Sequence, residues 1–344
     1  MSRAVLVVNA GSTSLKLHLV AGEETSVPIE SFDEVDSAEI EAVAHRVVHG
    51  GAAFSEPTLV DDAVERDLAA LTELAPLHNA PALAALGEAR RALPNAPHVA
   101  VFDTAFHATL PEKAAAYALP ARFRNEWGIC RYGFHGLSVQ WAAERVRVPR
   151  LIVCHLGGGC SVSAVRDGRS VETSMGFTPL EGVPMATRSG SIDPGALLHL
   201  LRAGRLTVDE LDRALGHESG LLGLSGSSGD VDELERRGDP GARLALAVYC
   251  YRIAGAVAAM AVALGGVDAL VFTAGVGEHS AHVREAVCGQ LGFLGVVLDS
   301  GANLEAQPDA EIAAPGSAVR VVVLRAREEL VAAREARRVL LGGS

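Results

Sequence analysis

Three glycine-rich segments of this chain have the composition of turns that bind phosphate. The string N-A-G-S-T-S (9–14) follows a buried, β-branched run at 4–8, and L-G-G-G-C-S (156–161) follows a second apolar run at 151–155. The stretch 268–280 repeats the pattern of a strand that leads into a glycine turn. Such turns direct backbone N–H groups and hydroxyls to one point, where they can hold phosphate oxygens. The G-x-x-x-x-G-K-S/T loop is absent, and no G-x-G-x-x-G follows the first strand, so the P-loop and Rossmann hypotheses are not supported.

The elements that must position these turns alternate between strands and helices. Further strands are predicted at 15–20 and 319–324. Helices with a period of 3.6 are predicted at 61–74, 80–92, 207–215, 240–264, 281–291 and from about Ala326 onward. The polar, acidic stretch 22–40 is predicted to be a surface connection with one short strand. The alternation is typical of α/β layers.

The pattern of strand, glycine turn and strand restarts near residue 150. A length of 344 residues also suits two domains, at about 100–200 residues each. We therefore expect two like domains that close over a polyphosphate. The first is predicted to comprise 1–148 plus 326–344, and the second 149–325.

Composition narrows the class of protein. Hydrophobic residues make up 49% of the chain but aromatic ones only 4%, so the cores must consist mainly of Ala, Val and Leu. A net charge of −12 argues against a general nucleic-acid binder, because an acidic surface repels phosphate. Five cysteines without C-x-x-C spacing favour a reducing cytoplasm over a disulfide framework. The run at 4–8 is too short for a signal peptide. The apolar stretch Leu244–Gly265 contains Arg252, which favours a buried helix over a membrane span.

A series of strings resembles the acetate kinase family of the actin-like ATPase superfamily, in the same order along nearly the whole chain. The resemblance starts with N-A-G-S-T-S-L-K (9–16) and continues through H-R-V-V-H-G-G (45–51), L-A-P-L-H-N (74–79), V-F-D-T-A-F-H (101–107), R-Y-G-F-H-G (131–136), H-L-G-G-G (155–159), T-S-M-G-F-T-P-L-E-G (173–182), T-R-S-G (187–190), G-V-G-E-H (275–279) and E-E-L-V-A-A-R (328–334). The resemblance implies two actin-like (ribonuclease H-like) α/β domains with the active site in the cleft between them. It also implies transfer of a phosphoryl group from ATP to a small carboxylate.

Four residues are implied to be catalytic. Arg46 and Arg188 would hold the substrate and the moving phosphoryl group, since a planar guanidinium suits both carboxylate and phosphoryl oxygens. Both lie between apolar or glycine-rich runs, where an unpaired charge would be costly. By resemblance, His135 stabilises transition-state charge, and Asp103 helps to place magnesium and to orient the nucleophile.

The resemblance also implies nucleotide, metal and acyl sites. The nucleotide-binding set is Lys16, Ser12, Ser14, His155, Leu156, Gly157, Gly158, Gly159, Asp230, Val231, Asp232, Gly275, Val276, Gly277, Glu278 and His279. Asn9 and Glu328 are implied to hold Mg²⁺ (or Mn²⁺), with ATP as co-substrate. Val48, Leu77, Phe134 and Pro179 would form a small apolar pocket for the acyl methyl group, next to Arg46, and His78 would support the site. One methylene changes affinity by only about 1–3 kcal/mol, so acetate and propionate are not distinguished.

The sequence departs from the family pattern mainly on the donor side. Gly158 and His279 each replace an Asn, Asp232 replaces an Arg expected near the adenosine, and Ser191 replaces an Asp. The spacing from Lys16 to Arg46 is also shorter than is usual for the family.

Three alternatives therefore stay open beside an acetate or propionate kinase. They are a butyrate-type kinase, a kinase with another donor such as pyrophosphate, and a nucleotide-binding sensor that has lost turnover. The expected partners are a small carboxylate and a nucleotide in a cytoplasmic homodimer, without nucleic acid or membrane.

Overall fold

The computed structural model describes residues 3–10, 15–74 and 76–342, and at 73, 74 and 76–78 the backbone alone. Within these residues the chain forms two separate six-stranded sheets. The first contains β1 (Ala4–Ala10), β2 (Leu15–Ala21), β3 (Thr25–Ile29), β4 (Ile40–Val47), β5 (Thr58–Leu59) and β6 (His98–Phe102). The second contains β7 (Arg150–Leu156), β8 (Cys160–Arg166), β9 (Arg169–Thr173), β10 (Ala269–Thr273), β11 (Ala310–Glu311) and β12 (Arg320–Val323).

The two sheets have the same topology. The first has the order β3-β2-β1-β4-β6-β5, and the second, taken from its opposite edge, has β9-β8-β7-β10-β12-β11. In each, the first strand forms an antiparallel meander with the next two strands and pairs in parallel with the fourth. The restart of the sequence pattern near residue 150 thus corresponds to a repeat of the sheet.

The central strands are continuous apolar runs because both faces of each sheet are covered. Val5, Val7, Val99 and Val153 are buried on the facing sides, and Leu6 and Ile152 on the outer sides. Parallel strands that are buried on both faces require such runs. The absence of alternation in A-V-L-V-V and L-I-V-C therefore reflects the layers of helix on either side.

The helices complete these layers. They are α1 (Asp62–Ala70), α2 (Pro76–Ala92), α3 (Glu112–Ala115), α4 (Ala121–Trp127), α5 (Gly136–Arg145), α6 (Pro194–Arg202), α7 (Val208–His217), α8 (Gly220–Ser225), α9 (Val231–Arg237), α10 (Pro240–Leu264), α11 (Ala274–His279), α12 (Ala281–Cys288), α13 (Ser300–Glu305) and α14 (Glu328–Leu340). Helices α5 and α14 lie between the sheets, where Trp141 and Leu330 share one core with Val7 of β1 and Val153 of β7. The last helix therefore packs on the first sheet, although it follows the second sheet in sequence.

Helix α10 is long and apolar enough to cross a membrane by length and composition, and half of its most apolar window is buried in this fold. It packs on β7, β8 and β9, with Tyr249 and Ile253 in the core of the second half. The expected core helix is therefore present, with an apolar stripe left exposed.

The structure differs from the sequence-based elements in one place that affects the site. The segment 274–279, predicted as a glycine turn, forms helix α11, which ends just before α12. A buried arginine of α12, Arg284, donates to the carbonyls of Gly277 and Glu278 and so completes the end of this short helix. The periodicity of the sequence in this segment does not predict the contact between Arg284 and the end of α11.

Buried histidines make the fold sensitive to acid. His98 donates from Nε2 to the carbonyl of Leu93 and therefore accepts at Nδ1 from Nε2–H of His45, at 2.9 Å. His98 must be neutral to accept in this way, and a second proton on His45 would lie on its buried Nδ1, which has no hydrogen-bond partner among the described residues. Burial, together with the proximity of His98 and Arg90, lowers the pKa of His45 to about 3.

We expect the free energy of unfolding to fall as the pH falls from 7 to 5. The unfolded chain binds a proton at His45 below its ordinary pKa, while the folded chain does not, so protonation favours unfolding. One such group removes about 2 kcal/mol over this range. Urea unfolding of His45→Gln should show a pH slope smaller by about that amount. His199→Gln, which removes an exposed imidazole of α6, should keep the wild-type slope. Equal slopes in all three proteins would contradict the assignment.

Candidate active site

The carboxyl ends of the parallel strands of both sheets meet at one cleft. Asn9 and Arg46 lie at the ends of β1 and β4, and Asp103 directly follows β6. His155 is the penultimate residue of β7 in the second sheet, and Ala274 directly follows β10. The cleft encloses about 600 Å³ and is lined by Asn9, Lys16, His18, Arg46, His135, His155, Gly158, Gly159, Ala274, Gly275, Glu278, Ala326, Glu328 and Glu329. The positions of the strand ends therefore bring charged residues from both halves of the chain together around one cleft.

Arg46 is fixed by a bidentate pair with Asp103. Its Nε and Nη2 donate to the two carboxylate oxygens at 2.9 and 2.5 Å, and Nη1 donates to Oδ1 of Asn9 at 3.0 Å. Burial opposes the charge of Arg46, but Asp103 and Glu328 outweigh this and raise its pKa. Burial also disfavours the charged form of Asp103 and therefore raises the pKa of this carboxyl, while the positive charge of Arg46 opposes that shift. Of the five N–H groups of Arg46, two stay available to a substrate.

His135 and His155 are stacked beside this pair. Their ring centroids are 4.1 Å apart, with an angle of 21° between the planes. Each ring contacts a serine hydroxyl through Nδ1: His135 contacts Ser161 at 3.0 Å, and His155 contacts Ser138 at 2.8 Å. Burial, His155 and the two arginines Arg46 and Arg188 lower the pKa of His135 well below its usual range. Burial and Arg46 lower the pKa of His155 to about 4. Both rings are therefore neutral at physiological pH.

His135 adopts a left-handed backbone conformation, with φ of 59°. A non-glycine residue rarely holds this conformation unless its surroundings impose it. Gly136 N–H donates to the carbonyl of Asp103, and His107 donates from Nε2 to the carbonyl of Phe134. These bonds on either side of His135 hold its ring in the cleft.

The phosphate loop, Gly157–Gly159, faces the histidines. A Cβ on Gly159 would lie 3.2 Å from Nε2 of His135 and 3.6 Å from Nη1 of Arg188. The missing side chain therefore leaves the space between these two groups open. Arg188 is partly buried and also donates from Nη1 to the carbonyl of Pro179 at 3.4 Å.

The loop is joined to the segment that carries Asp230. Ala186 N–H donates to the carbonyl of Gly158, and the carbonyl of Ala186 accepts from Leu222. A Cβ on Gly229 would come within 2.5 Å of that same carbonyl, so the 226–230 turn packs against it closely. The backbone thus connects the phosphate loop with the start of α9.

The three predicted residues at the start of α9 have different surroundings. Asp230 caps the helix by accepting from Glu233 N–H at 2.9 Å, and the side chain of Val231 is buried. Asp232 is 80% exposed and pairs with Arg236 one turn later at 3.0 Å. The carboxylate at position 232 is thus accompanied by a guanidinium from the next turn.

Helix α11 forms one wall of the cleft. Gly275 and Glu278 line it, whereas Gly277 is buried and Val276 packs against the core. His279 ends the helix on a solvent-exposed side. Leu156 is fully buried, so its side chain belongs to the core and only its backbone borders the phosphate loop.

Val48 and Phe134 belong to one buried apolar cluster near this cleft. Between them, His49 accepts at Nδ1 from Gly51 N–H and contacts the carbonyl of Phe177 through Nε2 at 3.2 Å. The ring of His49 also packs edge-on against Phe134 and Tyr132. Aromatic rings therefore pack against this side of the cluster.

Some predicted residues lie outside the described part of the chain. Ser12 and Ser14 do so entirely, and so do the side chains of Leu77 and His78.

The sequence interpretation missed a set of residues that hold the site in place. They are His18 and Glu329, which line the cleft, and His49, Asn79, His107, Ser138 and Ser161, which hold neighbouring groups. Five of them lie inside strings quoted above: His49, Asn79, His107, Ser161 and Glu329. An unexplained polar residue within a motif is therefore the signal that could have found them.

Comparison with known proteins decides the family. The sequence pattern of the Acetokinase family matches residues 29–334. An acetate kinase from Gloeobacter violaceus is 51% identical over 316 residues, which cover 87% of this chain and 77% of that protein. This chain belongs to the acetokinase family.

Two solved acetokinase structures agree with the architecture. A propionate kinase from Francisella tularensis has a TM-score of 0.90 at 33% identity and covers 98% of this chain and 99% of its own. An acetate kinase from Porphyromonas gingivalis has a TM-score of 0.86 at 36% identity, covering 98% of this chain and 100% of its own. The expected two-domain, actin-like α/β fold is confirmed.

One departure from the acetokinase pattern has a clear spatial consequence. A Cβ on Gly158 would have no atom within 4 Å, so packing does not require glycine there. The Cβ of the asparagine expected from the family resemblance would therefore meet no obstacle at this position.

We expect Asp103→Asn to destabilise this acetokinase by about 3 kcal/mol, because it leaves the largely buried guanidinium of Arg46 without its bidentate counter-charge. Asp62→Asn is the control, since this carboxylate is 91% exposed and pairs with Arg90 at the surface. That substitution should change stability by less than about 1 kcal/mol. Urea unfolding at pH 7 measures both values, and equal small losses would contradict a structural role for the Arg46–Asp103 pair.

Proposed function

We propose that this chain transfers the γ-phosphoryl group of ATP reversibly to acetate or propionate and so forms an acyl phosphate. Family membership supports phosphoryl transfer to a carboxylate in general, since acetokinases are ATP-dependent phosphotransferases with a carboxyl acceptor. The observation that carries the proposal for this chain is the convergence of Arg46, Arg188 and His135 opposite the phosphate loop. A sensor that had lost turnover would have no need for this arrangement of groups.

The reaction needs positioning and positive charge more than proton transfer. An oxygen of the already ionised carboxylate forms a bond to the γ-phosphorus while the bond to the ADP oxygen breaks, and ADP leaves with that electron pair. No base is required, which suits an Asp103 whose two oxygens both accept from Arg46. The role of Asp103 is then to orient Arg46.

Charge on the transferring group is stabilised from two directions. The two remaining N–H groups of Arg46 hold the acceptor carboxylate, and Arg188 approaches the equatorial oxygens beside Gly159. Neutral His135 donates from Nε2 if Ser161 donates to its Nδ1, so it contributes a hydrogen bond rather than a full charge.

The nucleotide fits the opposite wall. The backbone N–H groups of the phosphate loop would hold its phosphates, with Lys16 at the mouth of the cleft. Segment 230–232 and helix α11 would border the adenosine, as the backbone connection through Ala186 supports.

The residues present fit a magnesium ion that arrives with the nucleotide. In the described part of the chain no three His, Cys, Asp or Glu side chains converge as a metal site. Asn9 and Glu328 supply oxygen atoms next to Arg46, and Mg²⁺ is usually held by one or two such groups together with phosphates and water. Bound there, the ion would neutralise charge on the β- and γ-phosphate oxygens.

The acyl pocket limits the length of the acceptor. Val48, Phe134 and Pro179 would surround the methyl group, and Leu77 is proposed to complete the pocket. The rings of His49, Tyr132 and Phe177 leave little room behind it. We therefore expect acetate and propionate to be accepted and butyrate to be poor.

A hydroxamate assay with formate, acetate, propionate and butyrate, each with ATP and with pyrophosphate, tests the proposal. Acyl phosphate should form from acetate and propionate with ATP. If butyrate is the best acceptor or pyrophosphate the best donor, the corresponding alternative is correct. If no combination gives product, the sensor hypothesis is left.

Arg188→Ala should lower kcat by about three powers of ten or more while the fold stays intact, because an arginine aimed at a transferring phosphoryl group is worth that much. Arg213→Ala removes an exposed arginine of α7 and should behave like the wild type. Near-normal turnover in Arg188→Ala would show that this residue does not touch the phosphoryl group.

We also propose that residues 1–148 with 326–344 and residues 149–325 act as two domains.

We further propose that the enzyme is a cytoplasmic homodimer. The exposed stripe of α10 supports a second copy of this chain as the partner. Tyr251 is 65% exposed and Val262 83% exposed, and Gly255 and Ala259 lie between them with no side-chain bulk to hold a partner away. A groove of about 910 Å³ runs beside this stripe. A two-fold dimer would bury the same face on both copies.

Light scattering should therefore give the mass of a dimer for the wild type and a smaller mass for Tyr251→Glu. Leu341→Glu changes another exposed apolar residue, away from this stripe, and should leave the dimer unchanged. If Tyr251→Glu keeps the dimer, the interface lies elsewhere.

A further inference from the structure

Arg284 is a fully buried arginine that the proposed chemistry does not use. It is 1% exposed, and burial lowers its pKa. Its Nη1 donates to the carbonyls of Gly277 and Glu278 at 3.0 and 2.9 Å. Its Nε and Nη2 donate to the side-chain and backbone oxygens of Asn303 at 2.7 and 2.8 Å. Burying a guanidinium against neutral oxygens is costly, so the arrangement implies that the end of α11 must be held firmly.

The residue held in this way, Glu278, reaches across to the other half of the molecule. Its Oε1 accepts from the backbone N–H of Ala326 at 2.8 Å. Ala326 belongs to the connecting segment, residues 325–327, which joins the second sheet to α14. Glu278 is itself buried at the wall of the cleft.

The connecting segment has further contacts. Trp141 of α5 donates from Nε1 to the carbonyl of Arg325 at 3.0 Å, and Asp309 accepts from the N–H of Arg325 at 2.8 Å. Asp309 also forms a longer ion pair with the side chain of Arg327, at 3.7 Å. Of the side-chain hydrogen bonds to the backbone of this segment, the one between Glu278 and Ala326 is the nearest in sequence to Glu328, the first residue of α14.

We propose that Glu278 and Arg284 are positioning residues for Glu328. Arg284 fixes the backbone of α11, Glu278 fixes Ala326, and Glu328 follows two residues later with its carboxylate 4.0 Å from Nε of Arg46. Glu278 would then act on the metal-binding carboxylate through the backbone rather than by contact with nucleotide. The inference rests on the proposed metal role of Glu328.

The key comparison is Glu278→Ala against Glu278→Gln. Glutamine keeps a carbonyl oxygen that can accept from Ala326, whereas alanine removes the acceptor. We expect Glu278→Ala to raise the Mn²⁺ concentration for half-maximal activity about tenfold, a typical effect of losing a group that orients a metal ligand. The KM for acetate should change by less than about twofold. Glu278→Gln should restore most of the metal dependence.

Hydrogen exchange without metal or nucleotide reads the contact directly. The peptide that contains Ala326 should exchange faster in Glu278→Ala and normally in Glu278→Gln. Arg284→Met should give the same faster exchange if it folds, and Glu285→Ala, a change at an exposed position of α12, should alter neither measurement.

Two outcomes would overturn the proposal. Wild-type exchange and metal dependence in Glu278→Ala would show that the contact positions nothing. A Glu278→Gln protein as impaired as Glu278→Ala would show that the charge matters, and hence that Glu278 contacts metal or nucleotide itself. If the wild type makes no acyl phosphate at any Mn²⁺ concentration, the proposed function fails, while the exchange measurement still tests the contact.

Discussion

The buried pair of Arg46 and Asp103 is the interaction on which the site depends. It joins the end of β4 to the residue after β6, and Asn9 extends it to the end of β1. An arginine with only 16% of its side chain exposed needs such partners, because desolvation of its charge would otherwise be prohibitive. The pair therefore sets which N–H groups remain for a substrate, and it fixes them relative to the stacked histidines.

Strained backbone on both sides of the cleft adds to this rigidity. Two of the three non-glycine residues with positive φ in the described chain, His135 and Ala274, line the cleft. Strained backbone of this kind persists only where surrounding bonds over-determine it. For His135 those bonds come from His107, Gly136 and Asp103, so the aim of the imidazole is set before any ligand arrives.

The sequence predicted much of this arrangement because its signals are local. Continuous apolar runs marked the central strands, and glycine turns marked their carboxyl ends, where Asn9, His155 and Gly158 indeed line one cleft. The resemblance supplied Arg46, Asp103 and Glu328 by position. The supporting bonds of His49, His107 and Glu278 could not be predicted, because each depends on a residue remote in sequence. The helical form of 274–279 was missed because its glycines are typical of a turn, and Arg284, which donates to its last carbonyls, belongs to the next helix. Asp232 illustrates the same limit. Its carboxylate pairs with Arg236, so the local charge at this position cannot be inferred from Asp232 alone.

The placement of α14 has a consequence for how the chain is made. This helix fills the space between the sheets and packs on β1, β4 and β6, yet it follows them by more than two hundred residues. During synthesis from the N-terminus, the inner face of the first sheet stays uncovered by α14 until the whole second half has been translated. At about 5–20 residues per second, that exposure lasts tens of seconds. The first half of the nascent chain is therefore a natural client for chaperones, and the second half, whose core is nearly complete without α14, should fold first.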